Sequence, residues 1–125
     1  MTKRALIVDD EQDILNVLSR ILKRLDFETE TACNGQEALD KVNTSSFDLI
    51  VLDNTMPVMT GEEFLENIYA AKSKDYAIIL TSGRALNMFD LINRGEYFTI
   101  VDYILNKPYK IDNIREIIKE LKLND

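Results

Sequence analysis

Asp9-Asp10, Asp53, Thr81 and Lys107 are residue types that can do chemistry together if the fold brings them to one place. Three carboxylates in one pocket repel, so either one protonates or a cation joins them. A hard divalent ion, Mg²⁺ or Mn²⁺, suits an all-oxygen donor set and takes carboxylates, a carbonyl and waters. Lys107 offers a compact positive charge opposite such an ion, and Thr81 a hydroxyl donor. A carboxylate beside a metal, a Lys and a Thr is suited to phosphoryl transfer. It attacks phosphorus while the cations neutralise the equatorial oxygens. The residues do not force which aspartate is the nucleophile; position favours Asp53, between the acidic pair and the Thr/Lys side.

Each residue also has an ordinary reading. Asp10 could cap a helix, with Asp13 three residues on. Asp9 could be a solvated loop acid, Asp53, Thr81 and Ser82 turn residues, and Lys107 a surface charge before Pro108. Taken singly, most of them favour that account. What shifts the balance is that all five fall at the carboxyl ends of predicted strands.

Those strands are short apolar runs: Arg4–Val8, Phe47–Leu52 (interrupted only by Asp48), Tyr76–Leu80 and Tyr103–Asn106. Near-continuous apolar runs belong to strands covered on both faces. Phe27–Ala32 alternates and has a more polar face. Between them lie predicted helices. From Asp10 to Leu25, Ile14, Val17, Leu18, Ile21, Leu22 and Leu25 recur at helical spacing. Asn34, three residues before Glu37, starts a helix running to about Val42. Pro57 and Gly61 break the next loop before a helix over Glu62–Ala71. Leu86–Arg94 is helical and ends at Gly95; Ile111–Leu123 is an amphipathic closing helix whose stripe is Ile111, Ile114, Ile117, Ile118 and Leu121. Five strand–helix repeats predict an α/β fold with a parallel sheet and helices on both faces. The common doubly wound orders put a ligand beyond the carboxyl ends of the strands, where the winding reverses; in the order 2-1-3-4-5, strands one and three meet there.

The composition narrows the possibilities. With 125 residues and no linker or repeat, the chain reads as one domain. A net charge of −7 without a Lys/Arg cluster argues against direct nucleic-acid binding. No apolar run approaches the roughly 20 residues needed to span a bilayer, nor does the N-terminus read as a signal peptide, so a cytoplasmic address is expected. The chain has no His and a single Cys, Cys33. His bases, Ser-His-Asp triads, thiolate metal sites and an internal disulfide are thereby excluded. Cys33 is expected to be a small residue near the end of strand two, without a redox role.

Ordered along the chain, Ile7-Val8-Asp9-Asp10-Glu11, Asn34-Gly35-Gln36-Glu37-Ala38-Leu39, Asp53-Asn54-Thr55-Met56-Pro57-Val58-Met59-Thr60-Gly61, Leu80-Thr81-Ser82-Gly83 and Lys107-Pro108-Tyr109 resemble a bacterial response-regulator receiver domain, the phosphoacceptor module of two-component signalling. The likeness covers essentially the whole chain. It implies a flavodoxin-like (βα)5 fold with sheet order 2-1-3-4-5. It further implies Asp53 as phosphoacceptor and Asp10, Asp9, Asp53 and the Thr55 carbonyl as metal ligands. Thr81 and Lys107 would contact phosphate, Ser82 and Thr55 flank the phosphoryl group, and the Lys107–Pro108 bond is cis. The implied donor is a phosphohistidine on a sensor histidine kinase or histidine phosphotransfer protein; a downstream effector or a second copy could receive the signal. The chain would be a signalling phosphoacceptor rather than an enzyme acting on other substrates.

Two departures bear on output. Ile104 stands where many receivers carry an aromatic switch residue, and adjacent Tyr103 faces the other side of its strand. Thr81 and Lys107 are 26 residues apart, a few more than is usual, with the excess near Gly95–Val101. These keep open a receiver-like interaction module that no longer accepts phosphate. A haloacid-dehalogenase-type phosphatase needs an acid where Thr55 stands. In a flavodoxin-type site, Asp9-Asp10-Glu11 would repel the cofactor phosphate.

Overall fold

Leu49–Leu52 is apolar on both faces, and the structure covers both. It is a computed structural model, and it describes residues 3–56, 58–71, 75–83 and 87–121. The elements in chain order are β1 (Lys3–Val8), α1 (Gln12–Arg24), β2 (Phe27–Ala32), α2 (Gly35–Thr44), β3 (Leu49–Asp53), α3 (Gly61–Ala71), β4 (Ala77–Ser82), α4 (Met88–Arg94), a 3₁₀ helix (Glu96–Ile100), β5 (Tyr103–Asn106) and α5 (Ile111–Glu120). The strands form one parallel sheet in the order β2-β1-β3-β4-β5. Predicted and observed strands agree within two residues at each end, β3 beginning at Leu49 rather than Phe47. Leu86, Lys122 and Leu123, at the ends of two predicted helices, and Pro57 lie outside the described residues.

Alternate strand residues feed two cores. Leu6, Ile50, Leu52, Ile78 and Leu80 face Phe64 and Leu65 of α3, Leu91 of α4 and Phe98 of the 3₁₀ helix. Ile7, Leu49, Val51 and Ile79 face Leu15, Leu18 and Leu22 of α1 and Ile114 and Ile118 of α5. Val17, expected on the inner stripe of α1, is 55% exposed, while Leu15 is buried. Successive helical residues turn by about 100°, so a stripe centred on Leu18 takes in Leu15 and Leu22 and leaves Val17 at its edge. Ile111, at the first turn of α5, is likewise largely exposed. Cys33 sits just past β2, as expected, but is exposed rather than packed.

Helix starts follow local chemistry. Asn34 Oδ1 accepts the Glu37 N–H at 2.8 Å and caps α2. Asn87 caps α4 in the same way through the Asp90 N–H. At the β2 edge, Glu28 and Glu30 flank Arg4, whose guanidinium also lies over the Phe47 ring.

The residues between α4 and β5 form the 3₁₀ helix, which anchors through Phe98, wholly buried. Phe98→Ala is expected to lower the unfolding free energy by about 3–5 kcal/mol, measured by urea denaturation followed by far-ultraviolet circular dichroism. A loss below about 1 kcal/mol would show that this segment is not part of the core.

Candidate functional site

The β1–β3 register pairs Val8 with Leu52, so Asp9 and Asp53 are the next residues on neighbouring strands. Asp9 continues the ladder toward β2, its N–H donating to the Ala32 carbonyl at 3.1 Å. Its Oδ1 accepts the Glu11 N–H at 3.0 Å. Asp10 does not cap α1: the N-cap position is Glu11, without a side-chain cap bond. Asp10 is exposed, whereas Asp9 and Asp53 are 2% and 4% exposed. Carboxylate oxygens of Asp9, Asp10 and Asp53 all lie within 4.8 Å of one another, the one such group of acids among the described residues that could hold a metal.

Lys107 enters from the end of β5, where its N–H donates to the Ser82 carbonyl at 2.7 Å. Its Nζ lies 3.1 Å from Asp9 Oδ2 and 3.4 Å from Asp53 Oδ1. The Lys107–Pro108 peptide is cis, as the resemblance implied. Three carboxylates against one ammonium leave a formal charge of 1 − 3 = −2. Burial, then the neighbouring Asp9 charge, push the Asp53 carboxyl up from 3.8 to about 6, against the opposing pull of Lys107 and the Thr55 N–H. Burial acts to lower the Lys107 pKa, but its contacts with Asp9 and Asp53 outweigh it and raise the value. A −2 cluster of hard oxygen donors matches a divalent cation in both charge and donor type.

Thr81 is buried and pairs with Asp53 across β3 and β4. Ser82, also buried, follows it and pairs with Asn106. Thr55 is exposed beside the cluster. Ile104 is half-buried in the core with Phe98; Tyr103 packs on the opposite face and its hydroxyl bonds Glu120.

Sequence reasoning took Gly61 as a breaker and missed its contact. Its N–H donates to the Asn54 carbonyl at 3.2 Å, and a Cβ there would lie 2.4 Å from the Asp53 carbonyl oxygen. Gly35 likewise donates to Met59 at 3.1 Å, where a Cβ would meet the Met59 carbonyl at 2.6 Å. Gly61 thus closes the loop after β3 onto its own start, and Gly35 joins that loop to α2. Val58 in that loop has φ 69° and is 80% exposed, a left-handed backbone that β-branched residues rarely adopt. Among the described residues, the buried Asn54 Oδ1 in this loop has no hydrogen-bond partner. The local signals were present as two glycines, but the partner backbone became visible only in three dimensions.

A family model described as the response regulator receiver domain matches residues 5–119. The sporulation initiation phosphotransferase F of Bacillus subtilis is 32% identical over 120 residues, spanning 96% of this chain and 94% of that protein. The transcriptional regulatory protein CpxR homolog of Haemophilus influenzae is 33% identical over 119 residues, spanning 95% of this chain; the chain covers 48%, about half, of that regulator. Among solved structures, the response regulator protein TrrA of Thermotoga maritima in complex with Mg(2+)-BeF matches with a TM-score of 0.80 and 33% identity, over 96% of this chain and 99% of that one.

The charge imbalance sets a pH dependence. Because the folded protein holds the Asp53 proton more tightly than the unfolded chain, stability without divalent cations falls as pH rises from about 4 to about 6. Asp53→Asn removes that term. It is expected to stabilise the cation-free protein by about 1–3 kcal/mol above pH 6 and to have little effect below pH 4. Urea unfolding in chelator across this range checks it; a variant less stable than wild type at pH 7 contradicts the assignment.

Proposed function

From the premise that the chain belongs to the response regulator receiver domain family, we propose that Asp53 is its phosphoacceptor, charged from a phosphohistidine on a sensor histidine kinase or histidine phosphotransfer protein. The observation that carries this reading is the buried Asp53 carboxylate, held within 4.8 Å of Asp9 and Asp10 and within 3.4 Å of Lys107 Nζ. An Asp53 oxygen forms the new P–O bond, the P–N bond breaks, and the imidazole leaves with its electron pair and takes up a proton. The chain has no His, so the donor must come from elsewhere.

Asp9, Asp10, Asp53 and the Thr55 carbonyl would hold Mg²⁺, or Mn²⁺, which when bound would supply the positive charge that the cluster lacks and the transferred oxygens need. Asp9, which already holds Lys107 Nζ at 3.1 Å, would also help hold the ion. Lys107, already between Asp9 and Asp53, turns to the phosphoryl oxygens, and Thr81 offers its hydroxyl from the adjoining strand. Ser82 and Thr55 flank the group and set access for hydrolytic water; Pro108 fixes the turn that presents Lys107. The incoming group adds roughly −1.5 to −2 charge, which draws Thr81 and Lys107 inward and moves the loop after β4 together with α4. The chain thus catalyses only its own phosphorylation and dephosphorylation. That a 33% identical relative is solved with Mg(2+)-BeF supports the same ligand class here.

Two-dimensional amide NMR tests the reading, titrating Mg²⁺ and then beryllofluoride. Mg²⁺-dependent shifts that require Asp53 and spread past Ser82 into α4 are expected. Lys107→Ala should retain Mg²⁺ binding and lose the spread. Mg²⁺ shifts with no beryllofluoride response would identify a binding module without phosphoacceptor activity.

A further inference from the structure

Packing holds α4 weakly. It has seven residues and buries Leu91, while Phe89 and Ile92 are exposed. Its C-terminal end is tied to α3 through Glu62. Glu62 Oε1 pairs with Arg94 Nη2 at 2.6 Å, and Glu62 Oε2 accepts the Tyr97 hydroxyl at 2.7 Å. The Tyr97 ring is seated against Gly95, where a Cβ would meet its Cε1 at 2.4 Å, and against Phe98, 5.0 Å between centroids. A further bond ties α3 to the 3₁₀ helix, Tyr69 donating to Glu96 at 3.2 Å. Glu62 directly follows Gly61, which packs so closely on the end of β3 that a Cβ there would lie 2.4 Å from the Asp53 carbonyl oxygen. Glu62 and Arg94 line, with Asn54 and Thr55, an open cleft of about 300 Å³ that leads from the clamp to the loop after β3.

Resting on the phosphoacceptor reading, we propose that Glu62 is a clamp that restrains switching. It holds α4 and the 3₁₀ helix in the arrangement described above and confines movement to the part of α4 before Arg94. Both of its bonds exist in this arrangement, and movement of the end of α4 against α3 breaks them. The clamp therefore favours one population, and a ligand that binds the other must work against it.

The test is beryllofluoride titration in saturating Mg²⁺, followed by amide NMR, on wild type, Glu62→Gln and Tyr97→Phe, with Asp53→Asn as the control. Both clamp variants are expected to reach half-saturation at about three- to tenfold lower beryllofluoride. Their shift changes should pass Arg94 into residues 95–101 and Ile104, where wild type stays quiet. Tyr97→Phe keeps the ring packing and guards against a folding defect in Glu62→Gln. Equal or weaker binding in both variants, with an unchanged spread, overturns the clamp while leaving the phosphoacceptor reading intact. A wild type that ignores beryllofluoride overturns that reading, and the clamp with it.

Discussion

Mutual repulsion among Asp9, Asp10 and Asp53 is the constraint around which this structure is organised. Like charges this close would separate if their backbones allowed it, and they do not. Asp9 is bonded into the ladder on the β2 side, and Asp53 is the last residue of a strand paired on both sides. The sheet therefore holds a high-energy arrangement that Lys107 offsets only in part. A buried site with surplus negative charge responds strongly to any cation or charged group that enters it, because the low dielectric leaves little screening. The coupling from site to helices starts there.

How far that response travels depends on how firmly the surroundings are held. On the α1 and α5 side, the sheet meets long helices with several buried residues each. On the other side, α4 has seven residues and is anchored in the core by Leu91, with Phe89 and Ile92 exposed, so less packing opposes its displacement. Its far end and the 3₁₀ helix are pinned by Phe98 in the core and by Glu62 at the surface. A loosely packed segment between two fixed points is what a local switch needs.

Much of this was legible in the residues. Apolar runs ending in Asp9, Asp53, Thr81 and Lys107 placed the site, because a parallel sheet brings strand ends to one edge. Asn34 announced its helix through a short-range hydrogen bond, which sequence spacing encodes directly. Long-range contacts were hidden. Nothing in Gly61 names the Asp53 carbonyl as its neighbour, and Glu62 lies 32 residues before Arg94 and 35 before Tyr97, beyond the reach of any local spacing rule. Val17 misled because a helical stripe has soft edges. The excess residues near Gly95–Val101 could be counted, but only packing reveals that they bury a phenylalanine.

The β2 edge has a further consequence, for self-association. An edge strand with open backbone groups is a template on which another chain can add a strand. Here the outermost strand carries Glu28 and Glu30, held beside Arg4, within a chain of net charge −7. A second copy aligning there would set like charges against each other. At the opposite edge, β5 has four residues, too few for a long ladder. Both ends of the sheet thus resist edge-to-edge growth while the apolar strands between them remain enclosed.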